Sequence, residues 1–254
     1  MPVDLIEAAL TNWPAILAIL AAGGLVKGLV GIGLPLVTVP LLSLFMPIPN
    51  AVAAMSVPIL VSNLYQTRQG FDFRPLLKRF GLTFSALAIG VAFGTHLLVS
   101  LDPEVLNIAL GATVVAFACF SLFSPRFSIP RPREAWLGPS VGLGAGLLGG
   151  FSSFFGPPMI AYLVALRLPK DLFVAVVAMM FLSGALPLYG MLVVYGVLDW
   201  DTVLFGVAGL VPVMLGVFVG QSLRRRLPQE KFRYLILFVL ILIGANLVRR
   251  GLLG

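Results

Sequence analysis

Four polar side chains sit inside otherwise apolar stretches: Lys27, Asn63, Ser152 and Ser153. No Asp or Glu lies between Glu7 and Asp72, or between Glu134 and Asp171. A cation, two hydroxyls and an amide without a carboxylate among them offer hydrogen-bond donors and positive potential, which is the chemistry of anion recognition rather than of acid–base catalysis. An intramembrane cation points to function by default, and the alternative for Lys27 is an amine that snorkels from near a helix end. Serine hydroxyls in such segments also bond the preceding turn, and a mid-segment amide such as Asn63 finds partners on a neighbouring helix as readily as in a path. His96, about one turn before the end of its segment, reads as an interfacial histidine. With one His, one Cys and no H-E-x-x-H, G-x-S-x-G or Walker A motif, the chain is not expected to be an enzyme or to carry a metal or cofactor.

The donors fall beside main chain that cannot be regular helix. "KGLVGIGLP" holds Lys27, Gly31, Gly33 and Leu34, and "GLLGGFSSFFGPP" holds Gly149, Gly150, Ser152 and Ser153. Unwinding a helix frees N–H and C=O groups that lipid cannot satisfy, so such stretches persist only against protein or a polar cavity. Half-helix N-termini then favour anions. Backbone N–H groups of Gly31–Leu34 and Gly149–Ser153 are therefore candidate anion contacts. Gly24, Gly28, Gly142 and Gly146 are read instead as small residues for close helix packing.

What positions these stretches is a greasy frame: 59% of the 254 residues are hydrophobic and only 11% charged. A soluble domain carries about 25% charged residues. Apolar segments recur at 13–45, 50–66, 80–100, 104–123, 136–166, 171–197, 201–223 and 232–248, which identifies an all-α polytopic membrane protein. The net charge of +7 sits in loops flanking these runs and does not call for nucleic acid. The opening "MPVDLIEAALTNW" lacks the basic region of a cleavable signal, so residue 1 is expected in the mature protein. Segments 13–45 and 136–166 are too long to be single spans. Each would make a helix of roughly 45–50 Å, against a hydrocarbon core about 30 Å thick. Both are interrupted by Gly and Pro and are expected to be broken helices or hairpins.

The two long segments also match each other. Gly24, Leu25, Gly28, Leu29, Gly31 and Pro40 correspond in order to Gly142, Leu143, Gly146, Leu147, Gly149 and Pro158, and Gly90, Val91, Gly94 and Leu97 to Gly216, Val217, Gly220 and Leu223. The chain is thus expected to hold two membrane repeats, 1–127 and 136–254, joined by a basic linker at 128–135. Charge decides their sense. If every segment crosses once, the Lys and Arg divide almost evenly between the two sides. If the two long segments return to their starting side, loops 66–80, 124–135, 166–171 and 221–233 share one face, and only Arg249 and Arg250 remain opposite. The positive-inside rule favours the second arrangement: inverted repeats of about five segments each, with 124–135 cytoplasmic.

A G-x-x-x-G-x-x-G-x-G-G-G-x-x-x-x-P pattern, once per half, resembles the TauE/SafE (TSUP) family of sulfite exporters. Here it reads "GLVKGLVGIGLPLVTVPLL" and "GLGAGLLGGFSSFFGPPMI". Leu34 and Pro35 replace two of the pattern's glycines in the first copy, and Phe151, Ser152 and Ser153 do so in the second. The resemblance implies a bacterial inner-membrane transporter of small sulfur-containing or organic anions such as sulfite or sulfonates. The resulting expectation is a secondary transporter or facilitator that exports such an anion, with the two breaks meeting near the membrane midplane. Its partners would be the anion and the bilayer, with a homodimer permitted. An uptake permease for another organic anion, a membrane-embedded lipid-phosphate enzyme and a non-transporting assembly factor remain as alternatives.

Overall fold

Proline and glycine set where the helices stop. The computed structural model of the chain describes residues 11–30, 34–67, 73–123, 128–224 and 229–253. These form α1 (Trp13–Val30), α2 (Leu34–Leu42), α3 (Ile48–Ala54), α4 (Ser56–Thr67), α5 (Phe73–Ser100), α6 (Pro103–Phe123), α7 (Arg131–Ser152), α8 (Gly156–Ala165), α9 (Lys170–Val194), α10 (Trp200–Arg224) and α11 (Gln229–Leu253), with no strand among the described residues. Among the described residues, three helical stretches are long and apolar enough to cross a membrane: Arg74–Ser100, Ala175–Val194 and Trp200–Leu223. Shorter apolar stretches cover Trp13–Leu29, Ile48–Ser62 and Pro103–Cys119.

One boundary departs from the sequence reading. Segment 50–66 is two helices, because Pro58 has no N–H to give the Ala54 carbonyl; the helix stops at Met55 and restarts at Ser56, where proline falls in the first turn and costs nothing.

The chain divides into two compact units, each drawn from both sequence halves. Unit 1 comprises Met1–Pro58, Ser100–Ser124 and Tyr195–Gly254, and unit 2 comprises Ile59–Val99 and Pro125–Val194. In unit 1, α1 and α10 run parallel and nearly touch main chain to main chain. A Cβ on Gly24 or Gly28 would overlap the carbonyl oxygen of Val213 or Val217, and one on Gly216 or Gly220 that of Ala21 or Leu25. α2 folds back on α1, bringing Thr38 and Leu34 against Gly23. α6 and α11 run antiparallel, with Gly111 on Gly244 and Gly251 on Glu104.

Unit 2 repeats the glycine seam with other helices. α5 and α7 run parallel, Gly90 and Gly94 facing Leu143 and Leu147, while Gly142, Gly146 and Gly150 face Thr83, Leu87 and Val91. α8 returns along α7: Phe155 lies on Gly149, Tyr162 on Gly138, and the Ile129 N–H donates to the Ala165 carbonyl at 2.9 Å. Lipid tails are as apolar as leucine, so helix association here draws on close packing rather than on escape from water. Glycine supplies that packing by letting backbones approach.

Candidate functional site

The turn between α7 and α8 in unit 2 is fully described. α7 ends at Ser152, and Ser153 caps it in the left-handed region at φ 62°, its N–H donating to the Gly149 carbonyl at 2.7 Å. This is the usual way to close a helix, except that glycine normally occupies the left-handed position. The Ser152 hydroxyl donates to the Leu148 carbonyl at 2.5 Å and accepts a 3.3 Å bond from the Phe154 N–H. It is spent on local structure. Ser153 differs: it is 4% exposed, and its hydroxyl has no hydrogen-bond partner among the described residues.

Phe154 and Phe155 wall the turn, each 3% exposed. Phe155 wedges against Gly149 of α7 and Gly184 of α9, its ring 5.8 Å from that of Phe181. The N-terminus of α8 is poorer in donors than a helix start usually is. Pro157 and Pro158 carry no N–H, which leaves Gly156 and Met159 among the first four positions. Gly150 is closed by the main chain of α5 around Val91 and Gly94. The Cα faces of Gly149 and Gly150 are thus filled by protein, and, contrary to the expectation of unwound backbone there, α7 stays helical through Ser152, so the N–H groups of Gly149 and Gly150 lie within its ladder.

The unit 1 stretch is described on its flanks. Gly31 and Gly33 lie outside the described residues. Lys27 lies in the last turn of α1 and is 8% exposed, in a position where the partial negative charge of a helix C-terminus favours a cation. Leu34 opens α2, is 1% exposed, and its carbonyl accepts the Thr38 hydroxyl at 2.7 Å. Asn63 is on α4, in the part belonging to unit 2; its side chain lies outside the described residues. His96 is exposed one turn before the end of α5.

Among the polar residues that a sequence reading passes over are Ser56, 2% exposed, and Tyr189, 4% exposed, each with a hydroxyl that has no hydrogen-bond partner among the described residues. The signal was present: each lies two positions from a proline, Pro58 or Pro187, inside an apolar run.

Chemically, the α7–α8 turn offers a lone buried hydroxyl and main-chain N–H groups in an aromatic enclosure. No carboxylate occurs in the sequence between Glu134 and Asp171 to compete for them. Such a turn can hold an anion and has no group to abstract a proton. No curated protein and no solved structure matches the chain. A family model, described as sulfite exporter TauE/SafE, does match, over residues 15–247. That span contains both glycine seams, both α-helical returns and every candidate residue from Lys27 to Ser153. The chain therefore belongs to the TauE/SafE family of sulfite exporters, which are membrane transporters of anions and not enzymes.

Proposed function

We propose that this transporter exports sulfite or a related organosulfonate from the bacterial cytoplasm across the inner membrane. Each Gly/Pro-interrupted stretch contributes anion contacts in its own unit: Lys27, Gly31, Gly33 and Leu34 in unit 1 and the Ser153 hydroxyl in unit 2, with Asn63 as a further donor and Gly149, Gly150 and Ser152 shaping the turn that carries Ser153. The observation that carries this reading is the Ser153 hydroxyl, buried without a partner at the end of α7. A buried hydroxyl left unsatisfied costs about 1–3 kcal/mol. A sulfite oxygen is an acceptor that would remove the cost while the site is occupied.

Helix directions support the returning-segment topology. α1 runs with α10, while α6 runs against α11. If α10 and α11 cross in opposite directions, α1 and α6 point the same way. A chain of eight plain crossings would send its first and fourth segments in opposite directions. An additional reversal between α1 and α6 fits α2 folding back on α1, and α8 folding back on α7 is its counterpart in the second half. With these returns the basic loops share one face, which the positive-inside rule assigns to the cytoplasm. The matched glycines behave alike as well: α1 seams with α10 and α7 with α5, as duplication and inversion require.

An inside-negative potential drives an anion outward by about 2.3 kcal/mol per charge per 100 mV, so export needs no proton relay. The deciding experiment is flux of sulfite and a sulfonate panel from proteoliposomes under an imposed potential. Potential-dependent flux of at least one of these anions is expected. Folded protein that moves none of them overturns the reading.

A further inference from the structure

One end of unit 2 gathers cations that the transport reading does not use. Arg74, Lys78 and Arg79 lie at the start of α5, Arg131 and Arg133 at the start of α7, and Arg167 just beyond α8; all six are exposed. They share an end because α5 and α7 are parallel, and because the Ile129–Ala165 hydrogen bond ties the approach to α7 to the end of α8. The Arg79 guanidinium grips Glu134 with two bonds of 2.8 Å, Nε to Oε1 and the terminal nitrogen to Oε2. That pair neutralises Glu134, the only acid at this end among the described side chains, and it fixes α5 to α7.

The level just inside the cations is apolar and uncovered. Trp136 is 60% exposed one turn along α7 from Arg133, and Leu77 is 52% exposed beside Lys78. A basic surface standing in water gains nothing from an exposed tryptophan and leucine. A surface at the headgroup level does, because tryptophan concentrates at that depth while Lys and Arg reach the phosphates above it. Arginine's planar fork matches phosphate oxygens in pairs.

We propose that this cationic end of unit 2 seats the headgroups of anionic phospholipids, with Lys78, Arg131 and Arg133 as principal contacts and Trp136 and Leu77 at the acyl boundary. The Arg79–Glu134 pair holds the two helices in register beneath the lipid. The site rests on the chain being a membrane protein and is independent of what is transported.

The test is thermal unfolding of detergent-purified protein titrated with phosphatidylglycerol, phosphatidylcholine or soluble glycerol phosphate. Phosphatidylglycerol should raise the unfolding midpoint, and added salt should weaken the effect. The triple variant Lys78→Gln/Arg131→Gln/Arg133→Gln keeps the Arg79–Glu134 pair and should bind phosphatidylglycerol about tenfold more weakly or worse. Arg249→Gln/Arg250→Gln, exposed in unit 1, should behave as wild type. An equal shift from phosphatidylcholine overturns the proposal, as does an undiminished response in the triple variant. The same shift from glycerol phosphate alone would reveal a free-anion site and overturn the lipid assignment. Should the triple variant fail to fold, wild-type selectivity between the two lipids decides the matter.

Discussion

Ser153→Gly separates a structural serine from a ligand-binding one, because the two roles move stability and transport differently. Ser153 holds φ at 62°, which a residue with a Cβ adopts at a cost of about 1–2 kcal/mol. Glycine removes that cost but gives back about 0.5–1 kcal/mol in chain entropy. The substitution also deletes a buried hydroxyl without a partner, which had been costing about 1–3 kcal/mol. The sum is a gain of roughly 1–4.5 kcal/mol in folding stability. Transport should move the other way. A hydrogen bond to a charged acceptor contributes about 1.5–3 kcal/mol, so losing it should raise the apparent KM for sulfite by roughly 10–100-fold. Ser153→Ala keeps the left-handed strain and should show the same transport defect with a smaller gain in stability. The assays are thermal unfolding in detergent and initial-rate efflux from proteoliposomes across a sulfite titration. Wild-type KM in both variants would refute the assignment of the hydroxyl to the anion. A lowered unfolding midpoint in Ser153→Gly would refute the reasoning about strain and burial.

Within α7, Gly146→Ala should unfold the protein or force α5 away, since its Cβ would enter the space of the Leu87 carbonyl; Gly144→Ala, with nothing within 4 Å, should be neutral or stabilising by about 0.5–1 kcal/mol. Comparative melting of the two variants checks this. Asp199 caps α10, accepting the Thr202 N–H at 2.8 Å and its hydroxyl at 2.6 Å, and these bonds hold its carboxyl below the ordinary value of 3.8. Its contribution is therefore present above about pH 4 and lost as pH falls through the lowered folded-state value. Asp199→Ala should cost about 0.5–1 kcal/mol at pH 7, with the difference from wild type shrinking near pH 3 in melting scans. In a Cys119→Ala background, Lys78→Cys and Asp201→Cys should label from opposite faces of intact cells; labelling of both from one face would refute the inverted topology.

Much of the frame was legible because helices in lipid obey few rules. Length and hydropathy marked the segments, and Gly and Pro marked their interruptions. Spacing of four residues picked out Gly24, Gly28, Gly142 and Gly146 as packing positions. Their partners were less legible. A glycine records that something comes close, not what, so the seams of α1 with α10 and α7 with α5 had no sequence signature. Gly150 neighbours the turn and so reads from sequence as a ligand-lining glycine, yet it continues the packing series of Gly142 and Gly146 toward Val91. The Arg79–Glu134 pair joins residues 55 apart in sequence, a separation no local pattern reports. Ser56 was hidden because segment 50–66 looked continuous, though Pro58 already required its helix to restart.

The glycine seams and the Ser153 turn answer connected demands. A helix that stops inside the membrane exposes main-chain groups that lipid cannot satisfy. It therefore needs protein on every side, and wide side chains would hold that protein away. Parallel glycine contacts solve the enclosure, and in unit 2 they run up α7 from Gly142 to Gly150, three residues short of the turn. Tight enclosure has its own consequence, since a polar atom caught inside must find a partner there or go without. Ser152 finds one in the Leu148 carbonyl; Ser153, turned by its left-handed backbone, does not. Were the turn only a way to end a helix, glycine in place of Ser153 would do it better. A hydroxyl that costs stability and finds no partner among the described residues fits the proposed anion contact, and the Ser153→Gly and Ser153→Ala pair decides between that role and a structural one.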